Sequence, residues 1–175
     1  MKCGLPFVGE SGQRLRNCLL EIYASSLVPN EKNWLAVGEQ FFWLNTVPFK
    51  PKSNKPWSQG VRLACQPKIL QLVREQWDGR EVVAFGKEAF FWFGMGQSLA
   101  IRRKLRDHWN QGDARYEDGI STPAPGLGRT VHLYPMPHPS LANASWRKRF
   151  PELFKQRLLQ IKNGQGVSWN KMEEQ

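Results

Sequence analysis

The sequence predicts a mixed α/β fold built on a short parallel sheet. Three observations carry this reading. Short β-branched or aromatic runs alternate with longer segments of helical period, the order expected when a crossover helix follows each strand. The chain has 175 residues, 41% hydrophobic and 23% charged, which is enough to bury a core and unlike a disordered composition. The cysteines are three, Cys3, Cys18 and Cys65, with no Cys-x-x-Cys pair, so neither a disulfide framework nor a structural zinc site is indicated.

The elements follow in chain order. Gly4 to Gly12 is a glycine-rich loop. Leu15, Cys18, Leu19, Ile22 and Tyr23 then recur at helical spacing, so a helix runs to about Ser25 and stops at Val28-Pro29-Asn30. Phe41 to Val47 is apolar and β-rich, and is read as a buried strand closed by Pro48. Lys50 to Trp57 is a basic, proline-rich loop. A helix spans about Ser58 to Trp77, with Pro67 either kinking it or lying in a first turn. Glu81–Phe85 is a strand, and Gly86 turns the chain into a helix through Phe93. Leu99–Trp109 is a helix, residues 110–128 a loop or weak hairpin, and Thr130–Tyr134 a strand. Pro135-Met136-Pro137-His138-Pro139-Ser140 is a stiff loop. Phe150, Leu153, Phe154, Leu158 and Ile161 mark a last helix, with Pro151 in its first turn. The expected organisation is one domain over 1–163 and a flexible tail over 164–175.

Lys and Arg total 25 against 15 acidic residues, a formal charge of +10. Such a charge points to a polyanionic partner, and nucleic acid is the leading one. No apolar run reaches the length of a membrane span, and no apolar leader segment opens the chain. Reduced thiols fit a cytoplasmic setting. His108, His132 and His138 are dispersed and form no metal-ligand spacing with the cysteines.

In parallel α/β sheets ligands sit beyond the carboxyl ends of strands. Asn45 and His138 occupy such positions in this reading. An amide at Asn45 can donate and accept at once, which suits a base edge; the alternative is a turn former ahead of Pro48. Prolines on both sides restrain His138, which can donate to a developing oxyanion; the alternative is a packed loop histidine. Ser140 is either a phosphate ligand or a turn serine. Phe7 is either a platform for a base or a core plug. Lys50, Lys52 and Lys55, with Arg147 in Arg147-Lys148-Arg149, are the preferred phosphate contacts. The run Arg102, Arg103, Lys104 and Arg106 is read as a solvated helix face.

Taken together these segments resemble the uracil-DNA glycosylase superfamily. Gly4-Leu5-Pro6-Phe7-Val8-Gly9-Glu10-Ser11-Gly12 is similar to the Gly-x-Pro-Phe-Val-Gly-x-Ala-Gly loop of its thermophile-type branch. Leu44-Asn45-Thr46-Val47 is similar to the Leu-Asn-Thr-Val strand end of the common bacterial branch, and Pro137-His138-Pro139-Ser140 matches the His-Pro-Ser motif. Ser53-Asn54-Lys55-Pro56 and the segment from Cys65-Gln66-Pro67 to Val83-Ala84-Phe85-Gly86 follow in the family's order. The resemblance covers about Gly4 to Ile161. It implies a three-layer α/β/α sandwich around a short parallel sheet, with the family's first strand and its water-positioning Gly-x-x-Pro-Gly loop not represented ahead of Gly4. It implies that Phe7 stacks on an extruded uracil, Asn45 reads its amide edge, His138 donates to the uracil oxygen that gains charge, and Ser140 grips the flanking phosphate. The thermophile-type branch holds an iron–sulfur cluster; Cys65 falls at one ligand position but Phe49 stands at another, so no cluster and no other cofactor is expected.

The expected function is hydrolytic removal of uracil from duplex or single-stranded DNA by a monomeric, cytoplasmic, nucleoid-associated enzyme that leaves membranes alone. The alternative is a catalytically impaired relative that binds uracil or single-stranded nucleic acid. A third reading is a basic interaction domain whose motifs match by chance. If Lys and Arg on phosphates supply the affinity, binding to a uracil-containing oligonucleotide weakens steeply between low and high salt. An affinity that does not change with salt, measured by fluorescence anisotropy, would refute the basic-patch argument.

Overall fold

A computed structural model describes residue 7 and residues 9–49, 55–140 and 143–164. It is a mixed α/β structure with a small three-stranded sheet flanked by helices. Its contacts gather into two compact units, residues through Trp43 with those from Pro139 onward, and Leu44–His138.

The first unit contains α1 (Glu10–Tyr23), α2 (Glu31–Glu39) and α6 (Phe150–Gly164). The apolar stripe anticipated for α1 is buried, with Leu15, Leu19 and Leu20 almost wholly removed from water. The last helix packs on it through Phe150, Phe154 and Leu158, also buried. Polar groups join the same pair: the Tyr23 hydroxyl donates to the Leu158 carbonyl at 3.3 Å, and Lys155 Nζ meets Glu21 at 2.8 Å. Asn30 caps α2 by accepting from the Asn33 amide at 2.9 Å, satisfying one donor of the first turn.

The second unit holds the sheet. Ser58 caps α3 (Gln59–Gln76), and Pro67 lies in its interior, where it leaves the Leu63 carbonyl without a helical partner. β1 (Glu81–Phe85) leads through Gly86 into α4 (Lys87–Trp92). Ser98 then caps α5 (Leu99–Trp109), and a short 3-10 helix spans Gly112–Tyr116. β2 (Ile120–Pro123) and β3 (Thr130–Met136) complete the sheet in the order β1-β3-β2. β1 and β3 run parallel, Glu81 beside His132 through Phe85 beside Met136. β2 is antiparallel to β3, Ile120 beside Leu133 through Pro123 beside Thr130. The weak hairpin reading of 110–128 thus becomes an antiparallel edge strand, and the sheet is parallel only between β1 and β3.

Two strand boundaries differ from expectation. Residues 41–47 form no strand. Their aromatic rings face other rings and carbonyls instead of a ladder: Phe41 lies 5.4 Å from Tyr23, and Trp43 Nε1 donates to the Gly38 carbonyl at 2.7 Å. β3 extends past Tyr134 to Met136 although it includes Pro135. β2 pairs with β3 only as far as Leu133, so a proline beyond that point costs no bond to β2.

One core cluster lies against the sheet, with Ala84, Leu133 and Ile120 from the strands meeting Phe90 of α4 and Leu105 of α5. A second joins Ile69 and Val73 of α3 to Trp92 and Met95. Leu133 is 0% exposed on the central strand. Leu133→Ala removes its packing from both neighbours and is expected to cost ~2–5 kcal/mol, measured by urea denaturation. A loss under about 1 kcal/mol would mean the site collapses around the smaller side chain.

Candidate functional site

The parallel pair ends with Phe85 beside Met136. Gly86 follows with φ 87° and donates its amide to the Met136 carbonyl at 2.8 Å. That left-handed conformation favours glycine. It turns β1 into α4 and leaves a bare backbone surface at the strand end. His138 occupies that surface: a β-carbon built on Gly86 would stand 3.4 Å from His138 Cβ and 3.5 Å from its Cδ2. Pro137 and Pro139, both buried, hold the chain on either side. His138 stays exposed on its outer side. Loss of water around the rest of the ring pushes its pKa below the ordinary histidine value, which keeps the imidazole neutral at neutral pH. A neutral ring there still offers one N–H to an acceptor.

Asn45 belongs to the same unit and is exposed. Its neighbour Leu44 packs on the cluster of Ile69, Val73, Trp92 and Met95, so the backbone is anchored just before the amide. The amide itself makes no hydrogen bond to another described residue.

The first unit carries Phe7. It is a non-glycine residue at φ 56°, a conformation that must be held by its surroundings. Its ring packs 5.1 Å from Trp43 and is half-buried. Its carbonyl sits so close to Gly12 that a β-carbon there would overlap it. Arg16 completes the arrangement. The side chain is 4% exposed, donates through Nε to the Phe7 carbonyl at 3.4 Å and through Nη1 to the Trp34 carbonyl at 2.9 Å, and lies 5.1 Å from the Trp43 ring. A buried guanidinium needs such acceptors and a ring face to offset its lost water. Phe7 thus packs on one side against Trp43 and keeps part of its surface accessible.

Ser140 is half-buried, and its carbonyl accepts from the Asn143 amide at 3.0 Å. Arg147 is exposed on the turn before α6, with its carbonyl accepting from Arg14 Nη2 at 2.7 Å. Lys55 is exposed. Lys50 and Lys52 lie outside the described residues. Phe7, Ser140 and Arg147 belong to one unit, Asn45, Lys55 and His138 to the other.

Two cysteines lie among the described residues, Cys18 buried and Cys65 half-buried. Cys18 is buried, its thiol directed at the Pro151 carbonyl, and burial with the nearby Glu21 charge pushes its pKa up to about 11. Phe49 is 68% exposed and its carbonyl accepts from Trp57 Nε1 at 2.9 Å. Among the described residues no three of His, Cys, Asp and Glu converge on a metal-sized site.

A family model described as the Uracil DNA glycosylase superfamily matches residues 1–162. The chain belongs to the uracil-DNA glycosylase superfamily. Superfamily members are glycosylase hydrolases that act on DNA. No curated protein matches the chain. No described helix is long and apolar enough to cross a membrane.

Within this superfamily member, Arg16 is the residue that sequence reasoning missed. Its one signal was phase: Arg16 lies four residues before Leu20, so an arginine interrupts an otherwise apolar stripe. Arg16→Lys keeps the charge and loses the two-armed donor. It leaves at least one buried carbonyl short of a partner, with an expected loss of ~1–3 kcal/mol. An unchanged urea midpoint would show that the guanidinium is dispensable to the Phe7 loop.

Proposed function

We propose that this protein removes uracil from DNA by hydrolysing the N-glycosidic bond of a flipped-out nucleotide. The observation that carries the reading is His138, held over Gly86 at the carboxyl end of the parallel pair. Its ring offers an N–H where a uracil oxygen can gain negative charge. As the bond between the base and C1′ of the sugar breaks, the electron pair stays with the base and the sugar takes on oxocarbenium character; water then adds at C1′ and loses a proton. A fixed donor strengthens as the base becomes anionic, which is the condition for lowering the barrier.

The other residues fit the same scheme. Phe7 stacks on the extruded base, supported from behind by Trp43. Asn45 reads the uracil edge, donating to a carbonyl and accepting from the imide, a pattern that cytosine mismatches. Ser140, Lys55 and Arg147, with Lys50 and Lys52, contact the flanking phosphates. Flipping costs a few kcal/mol and is least costly at mispaired or single-stranded uracil. On this reading the protein is a monomer that works on chromosomal DNA in the cytoplasm.

Single-turnover excision from a uracil-bearing oligonucleotide tests this. His138→Ala is expected to slow base release by ~10²–10³ while changing binding much less. Asn45→Asp, which can only accept, is expected to change which base is excised. A His138→Ala rate equal to the parent's would remove His138 from the chemistry. A parent that binds uracil DNA tightly and releases no base would be a binder that keeps the pocket without the hydrolysis.

A further inference from the structure

The proposed chemistry leaves α5 unused. Its inner face is Leu105, 0% exposed, with buried His108 and half-buried Ile101. Its outer face carries Arg102, Arg103 and Arg106, all exposed. On a helix these three are i, i+3 and i, i+4 neighbours, so they share one side. Their guanidinium groups make no hydrogen bond, ion pair or ring contact with another described residue. Three other arginines of the same unit are engaged, Arg62 with Glu88, Arg115 with Trp109 and Arg129 with Trp77, while exposed Arg80 stands apart from α5 before β1. Beside the stripe, a cleft of about 460 Å³ opens between α5 and β2, lined by Arg103, Lys104, Asp107 and Ile120 among others.

The position of this face matters. Lys104 Nζ donates to the Ser121 carbonyl at 2.8 Å. Ser121 stands beside His132, and His132 beside Glu81, the first residue of β1. The contact falls at the amino end of the parallel pair, whereas His138 follows the carboxyl end. The arginine face is therefore a second surface and not an extension of the strand-end loops.

We propose that the outer face of α5 is an auxiliary grip on the sugar–phosphate backbone of nucleic acid, independent of base identity and separate from the base-excising end. Three unengaged guanidinium forks on one helix side, with only Asp107 as an acid among them, complement successive phosphates and match the bidentate geometry phosphate prefers. The partner class rests on the superfamily's action on DNA and on the chain's +10 charge, and it does not require that this chain excise uracil.

The test compares two variants of equal charge, each lowered from +10 to +7 by three substitutions: Arg102→Gln/Arg103→Gln/Arg106→Gln, and a control, Lys32→Gln/Lys68→Gln/Lys87→Gln, at exposed lysines elsewhere. Binding to a uracil-free duplex is followed across a salt series, so the readout does not depend on excision. The arginine variant is expected to bind roughly tenfold more weakly at moderate salt, with a log–log salt slope shallower by about two to three. The control is expected to change much less. Single arginine-to-glutamine variants, each shallower by about one, keep the test valid if the triple variant folds poorly. Equal losses in arginine variant and control would reduce the effect to net charge and overturn the proposal, as would an arginine variant with the parent's slope. A poly-glutamate peptide that binds the parent more tightly than DNA, and loses that affinity in the arginine variant, would assign the face to an acidic protein partner instead.

Discussion

The pairing of β1 with β3 decides where both strands stop, and the candidate chemistry starts at that point. With Phe85 beside Met136, the next residue of β1 must turn while the next residues of β3 continue. Gly86 makes the turn in a left-handed conformation and bonds back to Met136. His138 lies against the turn that this conformation makes. A slip of one residue in this register would exchange the faces of the strand side chains, exposing Leu133 and removing the platform beneath the imidazole. The buried cluster of Ala84, Leu133, Phe90 and Leu105 holds that register, so core packing and the position of the proposed donor are one constraint.

A different device serves the other unit. Phe7 is held in an unfavourable backbone conformation by the backbone contact at Gly12 and by a buried arginine that reaches its carbonyl. The cost of burying Arg16 is offset by two carbonyls and a tryptophan face. The same guanidinium reaches the Trp34 carbonyl of α2. The orientation of the proposed stacking ring therefore depends on the packing of α1 and α2 as well as on its own loop.

Much of the fold was legible. β1, α5 and the start of β3 follow from β-branched runs, helical periodicity and the glycine that punctuates them. Failures came where side-chain partners outweighed local propensity. Phe41 to Val47 looks like a strand because aromatics favour strands, but its rings are engaged by Tyr23, Phe7 and the Gly38 carbonyl. Pro135 looked like a strand end, and only the reach of β2 explains why it is tolerated. For the site, His138 was legible as a restrained histidine, but its seat on Gly86 depends on register and could not be read from spacing. Arg16 was hidden because a charged residue on an apolar stripe reads as an exception, and its partners are set by tertiary structure.

The sheet's outer strand has a consequence for self-association. β2 spans only Ile120–Pro123 and closes on a proline, which has no amide hydrogen to offer an incoming chain. A short edge that ends this way is a poor template for strand addition by a second molecule. Exposed Ser121 and the lysine that already occupies its carbonyl reduce the free backbone further. The antiparallel strand that departs from a purely parallel sheet therefore also blunts that edge, so a highly basic protein crowded along one polyanion is not offered a route to cross-molecule sheet growth there.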